Sequence, residues 1–209
     1  MASPMRYFRA ISGLIALTCA VVLFGACASG AATPAAGGTV RGGGTSPAAG
    51  PSVVARAAPV HACTSPYPSG PPTVETVFCA DPSKMQAARV VRIVDGDTIH
   101  VEIDGKEEII RFYGDNTTEH GQPCFDEATA RTRELVGDEV RLLPDARNRD
   151  KYGRLLRYVY SPSGLNIEAE MVAEGLAHAC RTDGALRFAI IALEDQAQRG
   201  HVGCLWSGN

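Results

Sequence analysis

Apolar residues recur with a period of two between positions 90 and 113 and with a helical period further on, and this change of rhythm predicts the elements. Val90, Val91, Ile93 and Val94 predict a first strand over 90–94. Asp95-Gly96-Asp97 reads as a turn, after which Ile99, Val101 and Ile103 alternate with His100 and Glu102 in a half-buried second strand. Asp104-Gly105 favours a tight hairpin turn and leads into a third strand over 108–113. A helix over 125–136 carries Phe125, Ala128, Leu135 and Val136 and is stopped by Gly137. Val140 and Leu142 alternate in a fourth strand, 147–153 reads as a polar loop, and 155–160 is a fifth strand closed by Ser161-Pro162-Ser163-Gly164. Two helices follow: a short one over 168–174 ended by Gly175, and one over 186–198 with Leu186, Ile190, Leu193 and Ala197 at helical spacing.

A meander of three strands, a helix, two strands and two helices is an α+β layout, that of a five-stranded OB-fold β-barrel with three packed helices. The periodicity lies beyond about residue 88, so one domain over 88–209 is expected. Ahead of it, Arg6 and Arg9 precede an uncharged apolar run from Ile11 to Phe24, too short for a comfortable membrane span, which marks 1–27 as an export signal. Leu23-Phe24-Gly25-Ala26-Cys27 resembles the lipobox of bacterial lipoproteins, so lipidation of Cys27 and a membrane anchor are expected. Ordinary cleavage near 26–30, or an uncleaved anchor, is the alternative. Residues 28–58 are mostly Ala, Gly, Pro, Ser and Thr with no acidic residue, a composition that cannot bury enough apolar surface to order itself. The whole of 28–87 is expected to be a mostly disordered linker. The protein is then an exported monomer, held at the cell surface or extracellular.

Charge narrows the partners. The formal charge is −3, and it becomes −5 once 1–27, with two arginines and no acid, is removed. A broad basic face is excluded, so any contact with nucleic acid is local. Seventeen of the twenty basic residues are Arg, and Arg147, Arg149, Arg154 and Arg157 fall within eleven positions, enough for a local basic patch. Of seven cysteines, Cys63, Cys79, Cys124, Cys180 and Cys204 remain after export. Their spacing has no CxxC zinc signature, and an exported chain meets an oxidising compartment, so disulfides are expected, with at least one thiol free or paired between chains unless only some of the five bond.

Taken singly, Asp95-Gly96-Asp97-Thr98 is what any turn prefers. The ordered set is more specific: Arg111 and Glu119 eight positions apart, then Asp150-Lys151-Tyr152-Gly153-Arg154-Leu155-Leu156, then Glu174-Gly175-Leu176-Ala177, then Leu205-Trp206. This set resembles the thermonuclease family, the staphylococcal-nuclease-like domain, over about Ala88 to Ser207. The resemblance implies Ca2+-dependent hydrolysis of phosphodiester bonds in DNA or RNA. It makes Arg111 and Arg154 the phosphate-binding arginines, Glu119 the residue that activates or orients water, and Lys151 and Tyr152 substrate contacts. It makes Asp97, Asn116 and the Thr117 carbonyl the metal ligands. The chemistry asks for such parts: paired guanidiniums match the oxygens of a phosphorane-like transition state, a carboxylate serves the water, and Ca2+ takes hard oxygen ligands. The resemblance also puts the loop after Glu119 and the segment after Ala177 on one rim of the site, which suggests a Cys124–Cys180 disulfide.

The chain departs from the family pattern of Gly, aliphatic, Asp, Thr, Pro, Glu, reading Gly114, Asp115, Asn116, Thr117, Thr118, Glu119 instead. Asn116 therefore stands at a carboxylate ligand position and brings an oxygen without a charge. Asp115, adjacent in an extended segment, faces the other way and cannot simply replace it: either the backbone shifts to present Asp115, or a carboxylate is partly buried. Glu168 stands where Asn is usual, and Arg181 and Asp183 lie near positions of base-contacting Tyr. A catalytically weakened OB-fold module that binds nucleic acid or another partner is the competing expectation.

Overall fold

The computed structural model describes residues 61–208. The expected signal segment, the Cys27 lipidation site and the linker up to residue 60 lie outside the described residues. The elements are β1 (Gln86–Ile93), β2 (Thr98–Ile103), β3 (Lys106–Phe112), β4 (Asp115–Asn116), α1 (Phe125–Val136), β5 (Glu139–Arg149), β6 (Leu155–Tyr160), α2 (Ile167–Ala173), β7 (His178–Ala179), α3 (Arg187–Arg199) and α4 (Gly203–Trp206).

Alternation along the strands closes a barrel in the order β1-β2-β3-β6-β5, with β5 pairing back onto β1 and β3 running parallel to β6. Its inward residues, among them Ile99, Val101, Ile110, Val140, Leu142 and Val159, are wholly buried. Asp104 and Gly105 both take positive φ, of 51° and 79°, the mirror-image turn whose twist suits a two-residue hairpin. A register shift between Val90 and Arg92 bends β1, as closure of a small barrel requires. On α1, Ala128, Thr132 and Val136 form the buried stripe, and on α3 Ala189, Ile190, Leu193 and Ala197 do the same. Asn166 caps α2 by accepting from the Ala169 amide at 3.2 Å. Among the described residues no helix is long and apolar enough to cross a membrane.

The expected barrel is present, and four differences stand out. The strand β5 runs to Arg149, three residues into the expected loop, because its outer end still pairs with β6 at Leu155. The helix α4 and the two-stranded β4–β7 sheet are additional. Residues 61–85, expected to belong to a disordered linker, instead pack onto the folded unit near the start of α2: Val77 and Phe78 are buried in the core, and Phe78 O accepts from the Asn166 amide at 2.7 Å. A Cys63–Cys79 disulfide staples this strap. The packed unit therefore begins well before residue 88. Lastly, Cys124 is bonded to Cys204 and not to Cys180, because α4 carries Cys204 to within 5.6 Å, Cα to Cα. Cys180, buried beside β7, lies outside both disulfides.

Candidate active site

The β1–β2 turn carries Asp97, whose carboxylate is almost fully buried. Its Oδ2 accepts from the Thr117 amide at 2.8 Å and the Thr117 hydroxyl at 3.1 Å, and its Oδ1 accepts from the Thr98 hydroxyl at 3.0 Å. The close approach of Thr117 depends on Gly96, where an added Cβ would meet Thr117 Cγ2 at 2.5 Å. Beside Asp97, burial first and the Asp97 charge second raise the Asp95 carboxyl to about 6.

Arg111, at the end of β3, ties this corner together. Nη1 donates to the carbonyls of Phe112 and Asp115, each at 3.1 Å, and Nη2 donates to Asn116 Oδ1 at 2.6 Å while facing Asp97 Oδ2 at 3.1 Å. Asp97, Asn116 and Thr117 are thus brought together with Arg111. Their oxygens are of the hard type that Ca2+ takes, and the crowded Asp95–Asp97 pair is the kind of arrangement a cation relieves, so the donor set fits a divalent ion. The only three-residue cluster of potential ligand side chains among the described residues, Cys124, Glu127 and Cys204, has both sulfurs in a disulfide and is no such site.

Arg111 also lines a cavity of about 390 Å³, whose wall includes Arg154, Lys151, Tyr152, Asp150 and Asp115. The turn from Asp150 to Arg154 is closed by Asp150, which accepts from the Arg154 amide at 2.9 Å and from its guanidinium Nε at 2.6 Å. Tyr152 is 58% exposed, with Lys151 Nζ 4.9 Å and the Arg154 guanidinium 5.5 Å from its ring centre. Glu119 is not among the residues lining the cavity; it is exposed on the loop after β4, its amide donating to Gln122 Oε1 at 2.9 Å.

Asp115 faces inward, as the alternation requires, and reaches the protein interior beside Glu168 of α2, both wholly buried. Glu168 Oε1 accepts from the Tyr113 amide at 2.8 Å, whereas Glu168 Oε2 and both Asp115 oxygens have no hydrogen-bond partner among the described residues. Burial, and for Asp115 the adjacent Glu168, drive both carboxyls well above the usual range.

One part of the cavity was not readable beforehand. Arg147 on β5 clamps Asp183 through Nε–Oδ2 at 2.5 Å and Nη2–Oδ1 at 2.6 Å, and Tyr113 donates its hydroxyl to Asp183 Oδ2 at 3.2 Å. All three line the cavity, and the Arg147 contact holds Asp183 below the usual carboxylate range. Arg147 stood out in the sequence only as one of a basic cluster, and nothing local joins positions 36 apart.

A family model described as Staphylococcal nuclease homologue matches residues 102–208, just over half of the chain. The chain belongs to this family. It is 40% identical over 101 residues to the thermonuclease of Staphylococcus hyicus, covering 45% of this chain and 59% of that one. It is 39% identical over 94 residues to endonuclease YncB of Bacillus subtilis (strain 168), covering 41% and 44%. With protein ParB of Escherichia coli the identity is 35% over 130 residues, covering 56% and 71%. The matched segments thus span about half of the first two relatives. As a staphylococcal nuclease homologue the chain has its family match from within β2 onward, which includes Arg111, Asn116, Thr117, Glu119, Lys151, Tyr152 and Arg154 and leaves Asp97 just upstream.

Proposed function

We propose that the protein is a nuclease that hydrolyses phosphodiester bonds in DNA or RNA with the help of Ca2+, and that it works outside the cell, tethered through Cys27. The observation that carries this is the pair Arg111 and Arg154 on the wall of one cavity in a chain of this family, two guanidiniums that suit the charge gathered on a phosphodiester under attack. Arg111 is pre-organised by five oxygens around it and Arg154 by Asp150, so neither has to be ordered when substrate arrives. Lys151 and Tyr152 contact the phosphate strand at the cavity mouth. Glu119, exposed on its loop, takes the proton of the attacking water or orients it. Asp97, Asn116 and the Thr117 carbonyl hold the cation, which when bound supplies positive charge to the phosphate and the water.

The binding-module reading draws on two observations: Asn116 brings no charge to the cation, and Glu119 is not among the cavity-lining residues. Digestion of single-stranded DNA by the full chain across a Ca2+ titration, with chelator as control, separates the two. Cleavage should depend on Ca2+, and Glu119→Gln or Arg154→Ala should slow it by about a hundredfold or more. Wild-type rates in both variants, or activity untouched by chelation, sink the mechanism; retention of DNA without cleavage selects the module.

A further inference from the structure

On the opposite face of β6 lies a second depression, of about 460 Å³. Successive side chains from Arg154 into β6 alternate between the two: Arg154 and Leu156 line the first cavity, and Leu155 and Arg157 the second. The depression also takes Lys106 and Glu108 from β3 and Asn148 and Arg149 from the end of β5.

Arg157 is the unusual member. It is 9% exposed, and its guanidinium donates through Nη1 to the carbonyls of Leu156 at 2.7 Å and Asn148 at 3.3 Å and through Nη2 to Asn148 Oδ1 at 2.8 Å. Among the described residues it has no carboxylate within the 4.0 Å of an ion pair. Glu108 is taken by others: it accepts from Lys106 Nζ at 2.5 Å and from Arg149 Nη1 at 3.0 Å, and these contacts hold it down to about 2. Three cations thus line the depression with two carboxylates, Glu108 and Asp104. Burial, with the Arg149 charge beside it, pushes the Arg157 pKa down against a weaker opposing pull from Glu108. A buried charge held only by neutral carbonyls and an amide is costly, and an oxyanion entering the depression offsets that cost with charge-assisted hydrogen bonds.

We propose that this depression is a second oxyanion site that takes a phosphate group through Arg157, Arg149 and Lys106, with the Asn148 side chain holding Arg157 in place. Two sources have the required chemistry. One is another phosphate of the strand engaged in the first cavity, since the two cavities flank the same β5–β6 turn; the other is inorganic phosphate. The site stands without the nuclease reading, and only the first source rests on it.

The test uses the full chain with chelator present. In Arg154→Met, which removes a phosphate contact of the first cavity, Tm should still rise with inorganic phosphate above a chloride control of equal ionic strength. In Arg154→Met/Arg157→Met that rise should disappear. An undiminished rise in the double variant, or an equal rise with chloride, overturns the proposal. Should Arg157→Met not fold, Arg149→Gln, at a more exposed side chain, should weaken the phosphate response several-fold, and an unchanged response there overturns it equally. The salt dependence of single-stranded DNA binding then separates the sources: a slope of log Kd against log salt shallower by about 0.7 in Arg157→Met assigns the site to a strand phosphate, and an unchanged slope with the phosphate response lost assigns it to the free ion. If DNA does not bind at all, the nuclease reading fails while the phosphate arm still reads the site.

Discussion

Asn116 keeps its amide oxygen 2.6 Å from Arg111 Nη2, in the same corner as the Asp97 carboxylate. Under the proposed function it is a ligand that brings no charge, while Asp115 next to it is buried beside Glu168. Asn116→Asp should therefore lower the Ca2+ concentration for half-maximal cleavage by about tenfold, about 1.4 kcal/mol, whereas Asp97→Ala abolishes cleavage at any Ca2+ level. Asp115→Asn, which keeps the size of this buried side chain, should leave that Ca2+ dependence unchanged. A Ca2+ titration of the cleavage rate for the three variants checks all of this, and loss of activity in Asp115→Asn would show that Asp115 is a ligand. Period-two alternation made an inward Asp115 legible, with a backbone shift that presents it to the cation as the open alternative. That Glu168 shares its interior was not legible, since the two are 53 positions apart and meet only through the β4–α2 packing.

At the scale of elements, β2, β3 and the Asp104-Gly105 hairpin were readable because alternation and turn chemistry agree there. The strap over 61–85 was not, because its composition continues that of the preceding tether and its apolar content is a few residues. Those few are what pack. Phe78→Ala should lower stability by about 3–5 kcal/mol in a denaturant titration, the cost of emptying a core aromatic site, where a disordered linker would show no change. The strap also covers Glu170 of α2: His61, stacked on Phe78 with ring centres 3.7 Å apart, contacts Glu170 Oε1 through Nδ1 at 2.7 Å. Burial, working against the His61 contact, lifts Glu170 from 4.5 to about 7. A carboxyl raised on folding stabilises fully below its unfolded value and loses that contribution as pH rises through the folded one. Stability of the wild type relative to Glu170→Gln should accordingly decline from about pH 4.5 through 7, as read from denaturation midpoints over that range.

For the whole molecule, the Cys124–Cys204 bond joins the loop preceding α1 to α4 across 80 positions. A closed loop of that length contributes about 4.5 kcal/mol in the chain-entropy account, so Cys204→Ser should cost stability of that order by calorimetry. The barrel was legible as a whole because each of its strands carries its own pattern. The disulfide pairing was not, since several cysteines allow several connectivities and only the tertiary packing of α4 selects one.

That long bond also sets an order of events during synthesis. Of the cysteines in the described residues, a chain made from its N-terminus exposes Cys63 and Cys79 first, and their bond is available once residue 79 has emerged. Cys124 then waits. The next sulfur to appear is Cys180, 24 residues ahead of the native partner Cys204, so the first opportunity for Cys124 is the wrong one. What withholds Cys180 is its burial beside the β4–β7 pair. The sheet must therefore close faster than oxidation if the last bond is to be the right one.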